Sequence, residues 1–204
     1  MKILLACYHS KFLHDFLLAN GHTVVSCDFK KAKHSGKHYQ CDVRELFHID
    51  FDFMFAFPAY TYLCKAQNHL VYHSVERQDK QREAASFFRD LWQAPFKMIA
   101  IENPIGYINT HVKAPSQIVY PWMFGDLYSK DICLWLRNVP PLISTLINPV
   151  RKSVRNHTNS RMTQDMRSVI RSSWDHFPLM CAAIANQWAP PPLVYPTSSL
   201  LTEI

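Results

Sequence analysis

Residues 1–29 read MKILLACYHSKFLHDFLLANGHTVVSCDF, and the changes of pattern inside this stretch decide the fold. Lys2 to Cys7 is a short apolar run of strand length. In the residues that follow, Phe12, Leu13, Phe16 and Leu17 recur at helical spacing, and Gly21 stands where a helix C-cap belongs. TVVSCDF (23–29) is short and β-branched, follows a helix and ends in Asp28, so it reads as a second strand parallel to the first. The unit is βαβ.

The alternation continues outward. A basic loop, KKAKHSGKH (30–38), leads through YQCDVREL (39–46) to DFDFMFAFP (50–58), a buried strand closed by Pro58. From Asp79 to Gln93, Ala84, Phe87, Phe88, Leu91 and Trp92 share one face with charges opposite, which predicts an amphipathic helix ending before Pro95. FKMIAIENP (96–104) is a strand running into a polar loop. DICLWLRNVPPL (131–142) adds a strand at about 131–137, stopped by Pro140 and Pro141, and FPLMCAAIANQWA (177–189) returns to helical periodicity. Strands alternating with helices predict an α/β, Rossmann-like, doubly wound and mostly parallel sheet in a single domain over 1–189, with 190–204 a Pro-rich irregular tail. Ligands of such sheets sit at the carboxyl ends of the strands, and three of those ends carry acids: Asp28, Asp42 and Glu102.

Composition narrows the classes of function. The 204 residues suit one domain, and 48% apolar with 19% charged residues excludes disorder, a coiled coil and a fibrous repeat. The net charge of +6, with eleven histidines besides, favours an anionic partner, and only four glycines speak against a glycine-rich phosphate loop. The six cysteines form no CxxC pair, which points to reduced thiols in a cytoplasmic setting. Leu4-Leu5-Ala6-Cys7 looks like a lipobox, but the apolar run before Cys7 is too short for a signal peptide. No apolar stretch approaches the roughly 18 residues of a membrane span, so the chain reads as soluble. The histidines show no HxxxH or HExxH spacing on one predicted helix, so no metal is expected. The 149–173 segment carries Arg151, Lys152, Arg155, Arg161, Arg167 and Arg171 against Asp165 alone. Its composition suits phosphate contacts and a solvated loop equally.

Several stretches together resemble one family. MKILLAC, GHTVVSCDF and CDV near the start, FPAYTYL and IAIENPIGYI in the middle, and QIVYPWMFG, CLWLRNVPPL and FPLMCAAIANQW beyond are similar to small phage and prophage proteins of the DNA cytosine-5 methyltransferase type. That family uses S-adenosylmethionine. Glu102-Asn103-Pro104 resembles its ENV/ENP motif, whose glutamate holds the amine and N3 of a flipped-out cytosine. The resemblance implies a base pocket of Phe57, Pro58, Tyr60, Glu102 and Asn103, with Glu102 as catalytic acid. It implies cofactor-binding positions at Cys7, Asp28 and Asp42, the acids holding the ribose and the adenine amine. The alternative for Asp28 and Asp42 is that they cap the segments that follow. The basic segment, with Arg151, Lys152, Arg155 and Arg161, lies where the family faces DNA.

Two departures bear on activity. The family's loop reads roughly Pro-Pro-Cys-Thr-Tyr-Leu, whereas Pro58-Ala59-Tyr60-Thr61-Tyr62-Leu63 puts Tyr60 in the place of the nucleophile. Attack on C6 of cytosine needs a thiolate, and a phenol with a pKa near 10 is a weak substitute. Cys64, four residues on, is the candidate for a relocated nucleophile. Lys11 also replaces the glycine of the cofactor loop, where it would crowd the ligand or reach an anion, so weak or no S-adenosylmethionine binding is expected. The expected protein is a degenerate family member that binds nucleic acid, a nucleotide-like ligand or a host protein. The rival expectation is an active methyltransferase using Glu102 and Cys64. A phage-encoded protein of this kind would work in the host cytoplasm.

Overall fold

Apolar residues on both faces of the central strands make a sheet that can exist only between two layers. In β1 (Lys2–Ala6) and β4 (Phe53–Ala56), Ile3, Leu5, Phe53 and Phe55 enter one core, while Leu4, Ala6, Met54 and Ala56 enter the other. The structure, a computed structural model, describes residues 1–65, 71, 73–127, 130–146 and 174–192. Segment 147–173, with Arg151, Lys152, Arg155 and Arg161, and residues 193–204 lie outside the described residues.

Among the described residues one sheet runs in the order β3 (Lys37–Tyr39), β2 (Thr23–Cys27), β1, β4, β5 (Met98–Asn103), β7 (Ile132–Arg137) and β6 (Gln117–Val119). β2, β3, β4 and β5 are parallel to β1, whereas β7 runs antiparallel between β5 and β6. The expected mostly parallel, doubly wound α/β architecture is therefore present. α1 (Phe12–Ala19) and α4 (Pro178–Trp188) cover one face, and α2 (Val75–Gln93) covers the other; the short helix α3 (Tyr107–His111) follows β5. Gly21, at φ +82°, follows α1 in the left-handed conformation that ends it. Asp126 accepts from the backbone N–H groups of Leu179 and Met180, satisfying the start of α4.

Three local readings change. The basic loop of 30–38 contains the start of β3, an edge strand of three residues, and β6 is a second short edge strand that the apolar pattern did not announce. α2 begins at Val75, behind Ser74, whose hydroxyl accepts from the Arg77 N–H. Its buried stripe is Gln81, Ala85, Phe88 and Leu91, so Ala84, Phe87 and Trp92 flank the core rather than form its centre.

Two devices hold the loop after β4 in place. Lys65 N–H donates to the Ile105 carbonyl at 3.1 Å and Tyr107 N–H to the Leu63 carbonyl at 2.7 Å, while Cys64 pairs with Gly106. A β-carbon on Gly106 would overlap the Leu63 carbonyl oxygen, so only glycine permits this approach. The second device is aromatic: Phe57 packs 4.2 Å from Phe55, and 4.9 Å from each of Tyr8 and Trp174, between ring centroids.

Candidate binding cleft at the carboxyl ends of the strands

The connections from β1 and β4 leave the sheet in opposite directions, and the crevice this creates is a cleft of about 1030 Å³. Cys7, Asp28, Asp42, Phe57, Pro58, Tyr60 and Glu102 all line it, so the structure brings together seven of the positions singled out from sequence. Asn103 and Cys64 are not among its lining residues.

Asn103 is excluded by the strand period. Successive residues of a strand face opposite sides, so Glu102 shares a side with Ala100, while Asn103 shares one with Ile99 and Ile101. Asn103 is fully buried, and its Nδ2 donates to the Pro58 carbonyl at 3.2 Å. It positions the Tyr60 loop from behind. Cys64 lines a separate depression with Lys65, Pro104, Ile105, Lys130 and Asp131, and among the described residues Lys130 alone belongs to both hollows.

Glu102 is 3% exposed, and its Oε1 has no hydrogen-bond partner among the described residues. The nearest cation is Lys130, with Nζ 3.6 Å from that oxygen. Lys130 Nζ also lies 5.5 Å from the ring centroid of Tyr60 and 5.9 Å from that of Phe177. A buried acceptor without a donor is unfavourable, and it marks the place where a ligand donor would be accommodated.

The acids at the other end of the cleft are engaged. Asp42 accepts from the Arg44 backbone N–H at 2.9 Å and from its guanidinium at 2.6 Å, and it forms a capping box with Glu45 at the 3₁₀ turn Val43–Leu46. The Arg44 side chain holds the Asp42 carboxyl below the usual carboxylate range. Asp28 accepts from the Lys30 N–H at 2.8 Å and lies 3.3 Å from His9 Nδ1. Both acids therefore have the local turn and cap partners that the structural alternative describes. Lys11 does not crowd the cleft: its side chain pairs with Asp15 at 3.9 Å, and its N–H donates to Asp175 at 2.9 Å. Its position at the start of α1 turns the side chain along the helix surface.

Several lining residues were not anticipated from sequence. Phe29, beside Asp28, is 75% exposed, an aromatic face at the lip. Lys30, Lys80 and Lys130 add cations, and Tyr8, Tyr62, Phe87 and Trp174 extend the aromatic lining. The one signal in sequence is the placement of Phe29 directly after the strand-end acid Asp28.

Burial raises the thiols of Cys7 and Cys27, the latter to about 12 with help from Cys41, and Cys7 is raised further by Asp28. Cys27 and Cys41 lie 3.8 Å apart, sulfur to sulfur, and both are free. Among the described residues no group of three or more His, Cys, Asp or Glu is arranged to hold a metal ion, and no helix is long and apolar enough to cross a membrane.

No protein-family model and no curated protein matches the sequence. Among solved structures, a protein encoded within an E. coli prophage and assigned as a DNA modification methyltransferase is similar at 13% identity and a TM-score of 0.47, over 74% of this chain. A co-crystal structure of WbdD with a kinase inhibitor is similar at 12% identity and a TM-score of 0.38, over 72% of this chain. The chain spans about half of the length of the first, 52%, and 38% of the second.

Proposed function

We propose that the protein is a catalytically degenerate relative of the cytosine-5 methyltransferase type that acts by binding, taking a nucleoside base, free or within nucleic acid, against Glu102. One observation carries this reading: a carboxylate 3% exposed, with an oxygen that no donor among the described residues reaches, lines a cleft walled by Phe57, Tyr60 and Trp174. An aromatic wall stacks a base, and a buried carboxylate accepts from an exocyclic amine. The basic residues of 149–173 support a polyanionic ligand.

The chemistry of the lining thiols supports binding over catalysis. Cys7 and Cys27 are raised by burial, the opposite of what activates a nucleophile, and Cys64 lines the other depression. S-adenosylmethionine fits the cleft poorly. The Asp42 carboxylate is held on both oxygens by Arg44, and Asp28 by Lys30 and His9, so a ribose diol or an adenine amine would compete with these partners.

Calorimetric titration with S-adenosylmethionine, S-adenosylhomocysteine and a cytosine-containing single-stranded oligonucleotide tests this. The oligonucleotide should bind, with affinity falling steeply as salt rises, and both cofactor forms should bind weakly or not at all. Micromolar binding of S-adenosylmethionine that is lost in Asp28→Ala would overturn the reading in favour of an active methyltransferase.

A further inference from the structure

Lys130, in the loop just before β7, stands at the mouth of the cleft where that cleft adjoins the Cys64 depression. A charge-assisted hydrogen bond between an ammonium and a carboxylate is about 2.7–2.9 Å long. The 3.6 Å between Lys130 Nζ and Glu102 Oε1 is an ion pair without that bond, and it leaves Oε1 without a donor among the described residues. The ammonium lies near the Tyr60 and Phe177 rings, whose π-faces attract a cation and keep it close while it changes partner.

An acceptor and an N–H donor so placed, at one end of an aromatic-walled cleft, complement a particular heterocycle edge: an amine N–H beside an unprotonated ring nitrogen, as cytosine presents. We infer that Lys130 is a specificity-determining residue of the site, donating from Nζ to the ring nitrogen of a base whose amine is accepted by Glu102 Oε1. The inference rests on the base-binding reading above. A carboxylate only accepts hydrogen bonds, so Glu102 alone would have to carry a proton to satisfy that ring nitrogen. Lys130 supplies the donor instead, and the base is read without any proton moving onto Glu102 or the ring. Two recognition atoms thus come from different elements, the end of β5 and the approach to β7.

The test compares 2′-deoxycytidine with 3-deaza-2′-deoxycytidine, which keeps the amine and replaces the ring nitrogen by C–H, against the intact chain and K130M, K130A and E102Q. The unaltered protein should prefer 2′-deoxycytidine by about 10-fold, the worth of a hydrogen bond to a charged donor. K130M and K130A, each checked for an unchanged melting transition, should bind both nucleosides alike, at the level of the deaza compound, and E102Q, whose amide oxygen accepts the amine without a charge, should weaken both. If either folded Lys130 variant keeps the 10-fold preference, or binds 2′-deoxycytidine more tightly than the unaltered protein does, the role given to Lys130 is overturned while base binding stands. If the unaltered protein binds neither nucleoside and no cytosine-containing oligonucleotide, the base-binding reading falls and this inference falls with it.

Discussion

Asn103 Nδ2 donates to the Pro58 carbonyl across 3.2 Å, joining the end of β5 to the loop that carries Tyr60. This bond and the Leu63–Tyr107 contact set the distance between the Tyr60 wall and Glu102. Asn103→Ala leaves a buried carbonyl without its donor and should lower stability by about 1–3 kcal/mol. Urea denaturation should show this as a lower midpoint with an unchanged slope. Base affinity should fall too, because the loop loses its anchor. Stability equal to the unaltered protein would mean that the backbone contacts alone hold the loop.

Asp42 gives the opposite pattern. Its carboxylate caps Val43–Leu46 and holds Arg44, so Asp42→Ala should cost about 1 kcal/mol of stability and leave nucleoside affinity unchanged. A fall in affinity at unchanged stability would return Asp42 to the binding site.

His34 should couple stability to pH. It stacks on His14 with ring centroids 3.7 Å apart, and Ser26 Oγ lies 2.9 Å from its Nε2. Burial, then His14 and His38, lowers its pKa from 6.5 to about 4. The unfolded chain therefore takes up this proton first, near pH 6.5. Stability from this group is complete above that pH and is lost as pH falls toward 4. Because His34 is partly exposed, the loss is screened to about 1 kcal/mol. Urea midpoints at pH 7.5 and pH 5 for the protein and His34→Asn measure it. The variant should show the smaller drop, and equal drops would remove His34 as the cause.

Buried thiols should resist alkylation. Cys27, Cys133 and Cys181 are all buried and raised by that burial, so iodoacetamide at pH 8 should leave them unmodified until urea is added. Peptide mass spectrometry reads the sites directly. Labelling of Cys27 in the native protein at its unfolded rate would contradict its place in the core.

The parts of the fold that were legible in sequence are those where burial imposes a period. Phe53, Met54, Phe55 and Ala56 are apolar because both sheet faces are covered, and Leu13 and Leu17 recur because one helix face is. β3 and β6 escaped notice because three-residue edge strands bury too little to show a pattern; Lys37 is exposed and His38 only half-buried. In the site, Asp28, Asp42 and Glu102 were found as acids ending apolar runs. The period-2 rule applied to β5 puts Asn103 on the side opposite Glu102, behind the cleft. Lys130 was not legible. It reaches Glu102 because β7 runs antiparallel beside β5, a pairing that no local pattern around residue 130 encodes.

In the proposed function the cleft holds a base without covalent chemistry. The direct measurement is incubation with DNA containing 5-fluorocytosine and S-adenosylmethionine, followed by denaturing electrophoresis and mass spectrometry. In a working cytosine-5 enzyme the thiolate adds at C6, and fluorine at C5 then blocks elimination, trapping protein on DNA. With Tyr60 at the loop position and Cys64 in a separate depression, the predicted result is a complex that Glu102→Gln weakens under native conditions and that leaves no adduct after denaturation. A covalent adduct that disappears in Cys64→Ser would contradict the account and establish an active methyltransferase.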